Sequence, residues 1–410
     1  MAIDRKTRRF LAALVLVCAS LALGRTDAIA QSPPKPGDEL RPLFAMGSDI
    51  ADGKELAVAS CAKCHNVDGV STTKGVPNIA GQRPSYMYLE LKAYQSGARA
   101  NADMVQKVKF LSDDAIAKVA AYYASLDPAE PPKTEPPKYI DPVLAGKTAA
   151  IPCAKCHGEN GVSQKPGVPN LIGMAPKYLA PTISAYKTED RKLDAKNEAM
   201  KTAISNLSDA DVEHVALYYA LQTENLTRAQ TPADGDAAAG KEATAKCTKC
   251  HGDGGVSTIP ANPSLAGQDF GYLLAALHSY KDGSRDDDTM GPVARKLDDV
   301  TMKNVAAYYA GLDPKPVAVA KPLSPAEWAD KCDRCHGANG NSTRPNVPAL
   351  AAQHIDYLEA VLREYQTGAR QSPEMAAMSG VLTDDDIKGI AAHYAFQKAR
   401  AVVFVTVPSK

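Results

Sequence analysis

The sequence predicts an all-α protein of four tandem helical domains, each built around one covalently attached group. Three observations predict it. Cys-x-x-Cys-His occurs four times, at Cys61–His65, Cys153–His157, Cys247–His251 and Cys332–His336. A fixed register of further residues follows each copy. The intervening segments carry helix caps and apolar residues at 3–4 spacing, and their loops lack strand-like alternation.

The motif comes first. Its two cysteines can add across the vinyl groups of a haem, and the adjacent histidine can ligate the iron. Four copies use every cysteine outside the N-terminal segment. Assigned to haem attachment are Cys61, Cys64, His65, Cys153, Cys156, His157, Cys247, Cys250, His251, Cys332, Cys335 and His336, so the expected cofactor is four covalent haem c groups. A zinc half-site or a thioredoxin-like pair is the competing reading of a lone Cys-x-x-Cys. No surplus cysteine or regularly placed histidine completes a zinc site, and a redox dithiol does not require histidine after its second cysteine.

The register comes next. Proline stands twelve residues after each motif histidine (Pro77, Pro169, Pro263, Pro348). Tyrosine stands at 21 (Tyr86, Tyr178, Tyr272, Tyr357) and at 29 (Tyr94, Tyr186, Tyr280, Tyr365). Arginine stands at 34 (Arg99, Arg191, Arg285, Arg370), and methionine at 39 in copies one, three and four (Met104, Met290, Met375). Copy two carries four extra residues and has Met200 at 43. Leucine follows each methionine by seven (Leu111, Leu207, Leu297, Leu382), and an aromatic pair, or His393-Tyr394, begins at eighteen. Such internal repetition decides the architecture.

Each unit should hold a short helix such as Gly53–Cys61, a Gly/Pro/Asn/Ser-rich loop, and a helix around Tyr86–Tyr94. A loop then carries arginine and methionine. The last helix runs from about Ser112 to Leu126, with Ser112 as N-cap and Asp113 and Asp114 in its first turn. Ile116, Val119, Ala120 and Tyr123 give it one apolar face. Copies two and four repeat this start with Ser208-Asp209 and Thr383-Asp384, and copy three with Asp298-Asp299.

The domains are expected at 48–127, 141–222, 236–313 and 324–400, after a flexible leader at 31–47. Proline-rich segments at Asp127–Asp141, Thr223–Asp236 and Asp313–Pro325 should be extended linkers. Successive first cysteines lie 92, 94 and 85 residues apart. Units that small have little core of their own, and a haem would supply apolar interior.

Residues 1–30 read as a cleaved export signal. Arg5, Lys6, Arg8 and Arg9 precede the apolar run Phe10–Leu23, and Ala28-Ile29-Ala30 is a small-residue cleavage site. At 14 residues the run is short for a span, which needs about 20. Cys18 is then discarded with the signal. Removing residues 1–30 leaves 42 Lys/Arg against 45 Asp/Glu, about −3. Without a basic block, no nucleic acid partner is suggested. The mature chain is expected to be periplasmic and without a transmembrane segment, so any membrane association is peripheral.

Each motif histidine (His65, His157, His251, His336) is the natural proximal ligand. The sixth ligand should be Met104, Met200, Met290 or Met375, because a neutral thioether raises the reduction potential. The competing reading is gap-filling core methionine. Met378 is an alternative to Met375. The prolines offer a backbone carbonyl to the histidine Nδ1–H, or simply shape the loop. The arginines either pair with haem propionates or brace the methionine loop. The tyrosines read as haem-packing and core residues. His214, His278, His354 and His393 share no offset and read as surface or satisfied helix residues.

At this point the chain resembles the class I c-type cytochromes, most closely the cytochrome c4 type. Cys61-Ala62-Lys63-Cys64-His65, Val76-Pro77-Asn78-Ile79-Ala80-Gly81-Gln82, Met104, and Leu111-Ser112-Asp113-Asp114 leading to Ala121-Tyr122-Tyr123 carry the resemblance. Cytochrome c4 has two such domains, so the chain looks like two of them in tandem, or a four-domain relative. Copy four lacks the glycine found before the haem helix elsewhere (Gly53, Gly146, Gly240), and copy two has Met174 where Gln82, Gln268 and Gln353 stand. The resemblance implies cytochrome c-type domains and periplasmic electron transfer by His/Met haems, with adjacent domains paired.

The function expected is a tetrahaem carrier between redox partner proteins of a respiratory chain, with no catalytic residue assigned. Alternatives are an electron-transfer subunit of a periplasmic dehydrogenase or oxidase complex, and a peroxidase-like enzyme with one open haem. The register-matched methionines argue against the enzyme. Copy two is where an exception would hide.

Overall fold

The computed structural model describes residues 37–191, 198–223 and 233–402. The predicted export signal and the start of the leader lie outside them, as does most of the second linker. Among the described residues the regular structure is helical, apart from an isolated antiparallel bridge between Arg99 and Arg370. No described helix is long and apolar enough to cross a membrane.

One repeat pattern recurs four times. In the first repeat, helix Gly47–Ser60 leads into Ala62–His65, followed by a long loop and the middle helix Pro84–Ser96. The short helix Ala102–Val108 and the terminal helix Asp113–Ala124 complete it. The middle and terminal helices of the others are Pro176–Lys187 and Asp209–Ala220, Phe270–Asp282 and Asp299–Ala310, and Ile355–Thr367 and Asp384–Ala395.

The terminal helices start where their caps dictate. Ser112 accepts from the Ala115 amide, and Asp298 accepts from that of Thr301. Ser208 and Thr383 form reciprocal boxes with Asp211 and Asp386, satisfying amides that the first turn leaves unpaired. The aspartate after each cap meets a cation of the middle helix: Lys92–Asp113 at 2.7 Å, Lys187–Asp209 at 2.9 Å, Lys281–Asp299 at 3.3 Å, and Arg363–Asp384.

The inner faces then close. Tyr123, Tyr219, Tyr309 and Tyr394 are all at most 1% exposed, and each ring lies 5.0–5.2 Å from that of the preceding aromatic residue. Ile116, Val119 and Ala120 are buried beside Tyr123 as their spacing predicts. Each large apolar side chain so buried contributes about 1.5–3 kcal/mol.

The helix leading into the motif crosses the terminal helix at backbone contact. A Cβ on Gly53, Gly146 or Gly240 would lie 2.1, 2.0 and 2.0 Å from the carbonyl oxygens of Lys118, His214 and Asn304. Only glycine permits that approach. In the fourth repeat the corresponding helix, Pro325–His336, begins at the glycine register. There Gly389 occupies the terminal-helix position of Lys118, His214 and Asn304, seven residues after the leucine.

The chain divides into two compact units. Of the described residues, those up to Pro137 and from Pro325 onward form unit 1, and those between Lys138 and Ser324 form unit 2. Two two-domain lengths in tandem would pair repeat 1 with 2 and repeat 3 with 4. The structure instead pairs 1 with 4 and 2 with 3.

Two further expectations are corrected. The leader 31–47 is not flexible throughout: Asp38–Phe44 forms a short 3-10 helix whose Pro42 is buried, and Arg41 pairs with Asp114. Met104, Met200, Met290 and Met375 stand on short helices rather than in loops, and for three of them a side chain three residues earlier accepts from the methionine amide. Asn101, Asp287 and Ser372 accept from the amides of Met104, Met290 and Met375 at 3.0, 2.7 and 3.3 Å.

Candidate haem sites

The proximal side is built alike in all four repeats. His65, His157, His251 and His336 are 7–8% exposed. Each turns Nδ1 to the carbonyl oxygen of the proline twelve residues on, at 3.1 Å for Pro77 and 2.9 Å for Pro169, Pro263 and Pro348. A carbonyl only accepts, so Nδ1 carries the proton and Nε2 the lone pair. Burial lowers all four imidazole pKa values, and the proline bond offsets part of that. The result is a neutral, oriented imidazole, the form a metal requires.

A glycine four residues past each histidine shapes this loop, a signal the sequence reading missed. Gly69, Gly161, Gly255 and Gly340 have φ of 72–77°. Each carbonyl accepts two amides from the segment just past the proline, as Gly69 does from Ile79 and Ala80 at 2.8 and 3.1 Å. A Cβ at Gly69 would stand 2.8 Å from the Ala80 nitrogen and 2.9 Å from the Tyr123 ring. The loop therefore doubles back and delivers the proline carbonyl to the histidine. Ser71, Ser163 and Ser257 add a hydroxyl bond to the carbonyl of the second cysteine, at 2.9, 2.9 and 3.2 Å.

None of the eight described cysteines pairs in a disulfide; Cys64 and Cys335 are exposed and the other six are partly buried. Burial pushes the Cys61 thiol up to about 11 and raises those of Cys153, Cys247 and Cys332, so the first thiol of each pair stays protonated. Among the described residues no group of three or more His, Cys, Asp or Glu is arranged to hold a metal ion.

Met104, Met200, Met290 and Met375 are all half-buried, whereas Met378 is 39% exposed. Of the remaining histidines, His214 is buried at the helix crossing, and His393 packs edge-on against Tyr394. His354 is an interface residue, with Nε2 3.0 Å from the Ser71 carbonyl oxygen.

The +34 arginines, tyrosines and +17 glutamines form the pairing interfaces. Arg99, Arg191, Arg285 and Arg370 each stack on the +29 tyrosine of their own repeat, 4.3–4.8 Å from the ring centroid. Each then reaches the +21 tyrosine hydroxyl of the paired repeat. Arg99 meets Tyr357 at 3.2 Å and Arg370 meets Tyr86 at 2.9 Å. In unit 2, Arg191 meets Tyr272 at 3.2 Å and Arg285 meets Tyr178 at 3.3 Å. Stacking and hydrogen bonding together fix a planar cation as neither does alone. The arginines thus also serve the pairing interfaces, a role that neither expectation included.

The glutamines link one proximal loop to the other. Gln82 bonds both backbone groups of Ala349, which follows Pro348, at 2.8 and 2.9 Å. Gln353 does the same to Asn78, which follows Pro77. In unit 2, Gln268 clasps Asn170 at 2.7 and 2.9 Å. The reciprocal clasp is lost because Met174 stands there, buried beside Ser264 at a small cavity of about 10 Å³.

Electrostatics separate the two interfaces. In unit 1 Glu90 bridges both arginines, at 2.6 Å from Arg99 and 2.6 Å from Arg370. Among the described residues no carboxylate pairs with Arg191 or Arg285, and Arg191 Nη1 is buried without a hydrogen-bond partner. The equivalent tyrosines respond oppositely. Burial and then Glu90 push Tyr86 well up. At Tyr272 burial is outweighed by Arg191 and Arg285, and the pKa falls.

These features fit a haem. Accessible thiol pairs suit two thioether bonds, the oriented imidazole suits iron, and the orphaned Arg191 Nη1 suits an anionic group such as a propionate. Helical units with this proximal geometry define the c-type cytochromes. The family model described as cytochrome c matches residues 50–127 and 143–220, and the one described as cytochrome c oxidase, cbb3-type, subunit III matches 325–393. Cytochrome c4 of Pseudomonas aeruginosa is 33% identical over 177 residues, covering 39% of this chain and 88% of its own. Cytochrome c4 of Thiocapsa roseopersicina is 31% identical, covering 40% and 94%. A thiosulfate dehydrogenase electron acceptor of Stutzerimonas stutzeri is 31% identical, covering 43% and 89%. The chain belongs to the class I c-type cytochromes and is of the cytochrome c4 type. It is an electron-transfer protein that binds haem c covalently.

Proposed function

We propose that the protein is a periplasmic tetrahaem electron carrier, with one haem c held in each of four repeats. Cys61 and Cys64, Cys153 and Cys156, Cys247 and Cys250, and Cys332 and Cys335 supply the thioether bonds. His65, His157, His251 and His336 supply the proximal ligands, and Met104, Met200, Met290 and Met375 the distal ones. The observation that carries the reading is the fourfold recurrence of one proximal geometry, Nδ1 on a proline carbonyl at 2.9–3.1 Å. The haem, when bound, supplies a one-electron iron couple. With a histidine and a methionine of each repeat holding the iron, the chain would offer it no open site for substrate. The interface glutamines and arginines hold the proximal loops of repeats 1 and 4, and of repeats 2 and 3, in fixed register for exchange within each pair. Export is supported by the pattern of Arg5–Arg9, Phe10–Leu23 and Ala28-Ile29-Ala30.

Mass spectrometry of the exported protein tests this directly. It should show four added haems and loss of residues 1–30; fewer haems overturns the tetrahaem reading. Carbon monoxide should leave the reduced spectrum unchanged, and a CO adduct would reveal an open iron and favour catalysis.

A second reading makes the partner a dehydrogenase. It is favoured by relatives named thiosulfate dehydrogenase electron acceptors, 31% and 30% identical to this chain. Reduction of the holoprotein by a thiosulfate dehydrogenase with thiosulfate would support it, and no reduction would remove it.

A further inference from the structure

The two paired interfaces share their arginine and tyrosine framework and differ in charge. Glu90 sits on the middle helix of repeat 1, and its two oxygens lie 2.6 Å from Arg99 Nη1 and from Arg370 Nη2. Both guanidinium groups are buried, at 6% and 4% exposure. A second carboxylate, Glu364, lies 3.9 Å from Arg99 Nη2 at the more exposed edge. The Glu90 register, 25 residues past the motif histidine, holds Thr182, Ala276 and Val361 in the other repeats. The Glu364 register, at 28, holds Ala93, Ala185 and Ser279. Unit 1 therefore carries carboxylates that unit 2 lacks. The same atom shows the contrast: Nη1 of Arg99 is bonded to Glu90, and Nη1 of Arg191 is buried without a partner.

A ferric haem carries one positive charge more than a ferrous one. A nearby carboxylate stabilises the ferric form and lowers the potential; an unneutralised arginine pair does the reverse. Each cluster joins the same two repeats whose post-proline segments the glutamines clasp. We propose that Glu90 places the haem couples of repeats 1 and 4 below those of repeats 2 and 3, so that electrons rest in unit 2. Glu90 acts through the field at the interface and is a potential-setting residue, touching no reacting atom. The inference rests on the tetrahaem reading.

The test is spectroelectrochemical titration of holoprotein shown by mass spectrometry to carry four haems; a lower count fails the tetrahaem reading and not this inference. Wild type should show two lower and two upper one-electron couples. Glu90→Gln, which keeps the shape and removes the charge, should raise the lower two and leave the upper two in place. The expected change is about tenfold in each equilibrium, or about 59 mV per one-electron couple. Thr182→Glu, placing a carboxylate at the matching register of unit 2, should lower the upper two. An unmoved lower pair in Glu90→Gln overturns the proposal, as does movement of the upper pair. If Glu90→Gln does not accumulate as holoprotein, Thr182→Glu decides alone: no fall in the upper pair overturns it.

Discussion

Gln353 holds Asn78 by both of its backbone groups, with Oε1 accepting from the amide at 2.8 Å and Nε2 donating to the carbonyl at 2.8 Å. Asn78 follows Pro77, whose carbonyl orients His65, so a side chain of repeat 4 steadies the proximal ligand of repeat 1. Replacing Gln353 with alanine should cost about 1–3 kcal/mol, since it leaves a part-buried amide and carbonyl unpaired. Hydrogen exchange at the Asn78 amide should accelerate; unchanged exchange would show that the clasp is idle.

Unit 2 offers the converse experiment. Met174 interrupts the clasp toward Ser264, so Met174→Gln should restore it and slow exchange at the Ser264 amide. The gain should be about 1 kcal/mol in thermal unfolding. A loss of stability would mean that the Met174 site is packed for a thioether.

The fourth repeat presents two methionines three residues apart. Met375 is half-buried with its amide capped by Ser372, whereas Met378 is 39% exposed. Met375→Ala should abolish the methionine-to-ferric-iron charge-transfer absorption of one haem, and Met378→Ala should leave all of it. The opposite pattern would reassign the ligand.

Ala352 occupies a left-handed conformation, with φ of 55°, where the other repeats have Gly81, Gly173 and Gly267. Its Cβ is strained there by about 1–2 kcal/mol, and glycine returns part of that as chain entropy. Ala352→Gly should therefore stabilise unit 1 by about 0.5–1 kcal/mol in denaturant unfolding. A destabilised variant would show that the methyl, 5% exposed, packs for more than its strain.

The box at Ser208 gives a pH dependence. The Ser208 hydroxyl, and then its backbone amide, bond the Asp211 carboxylate and lower its pKa from 3.8. A carboxyl depressed by folding stabilises fully above its unfolded value near 4, and that stability is lost as pH falls through the lower folded value. Asp211→Asn should cost about 0.5 kcal/mol at neutral pH, allowing for solvent screening. The difference from wild type should vanish once pH falls below the lowered folded value, and a constant difference would assign it to packing.

Local structure was legible wherever one side chain meets its own backbone. Ser112, Ser208, Asp298 and Thr383 are caps in the sequence and in the structure, and the proline-to-histidine bond followed from a constant offset. Pairing was not legible. The arginine register marked Arg99 and Arg370 as important without saying that each stacks on one repeat and reaches into another. Those contacts span 258 and 284 residues, and periodicity within a repeat holds no information on which repeat answers it.

The nesting of repeats 2 and 3 between repeats 1 and 4 sets an order of assembly. A chain made from its N-terminus completes unit 2 while repeat 1 still waits for the segment that carries Gln353 and Arg370. Until then the Asn78 backbone and the Arg99–Glu90 pair lack their complement. Nascent chains should thus mature from the inside outward. A lesion that removes repeat 4 should strip the partner from repeat 1 at the far end of the sequence, and leave the inner pair whole.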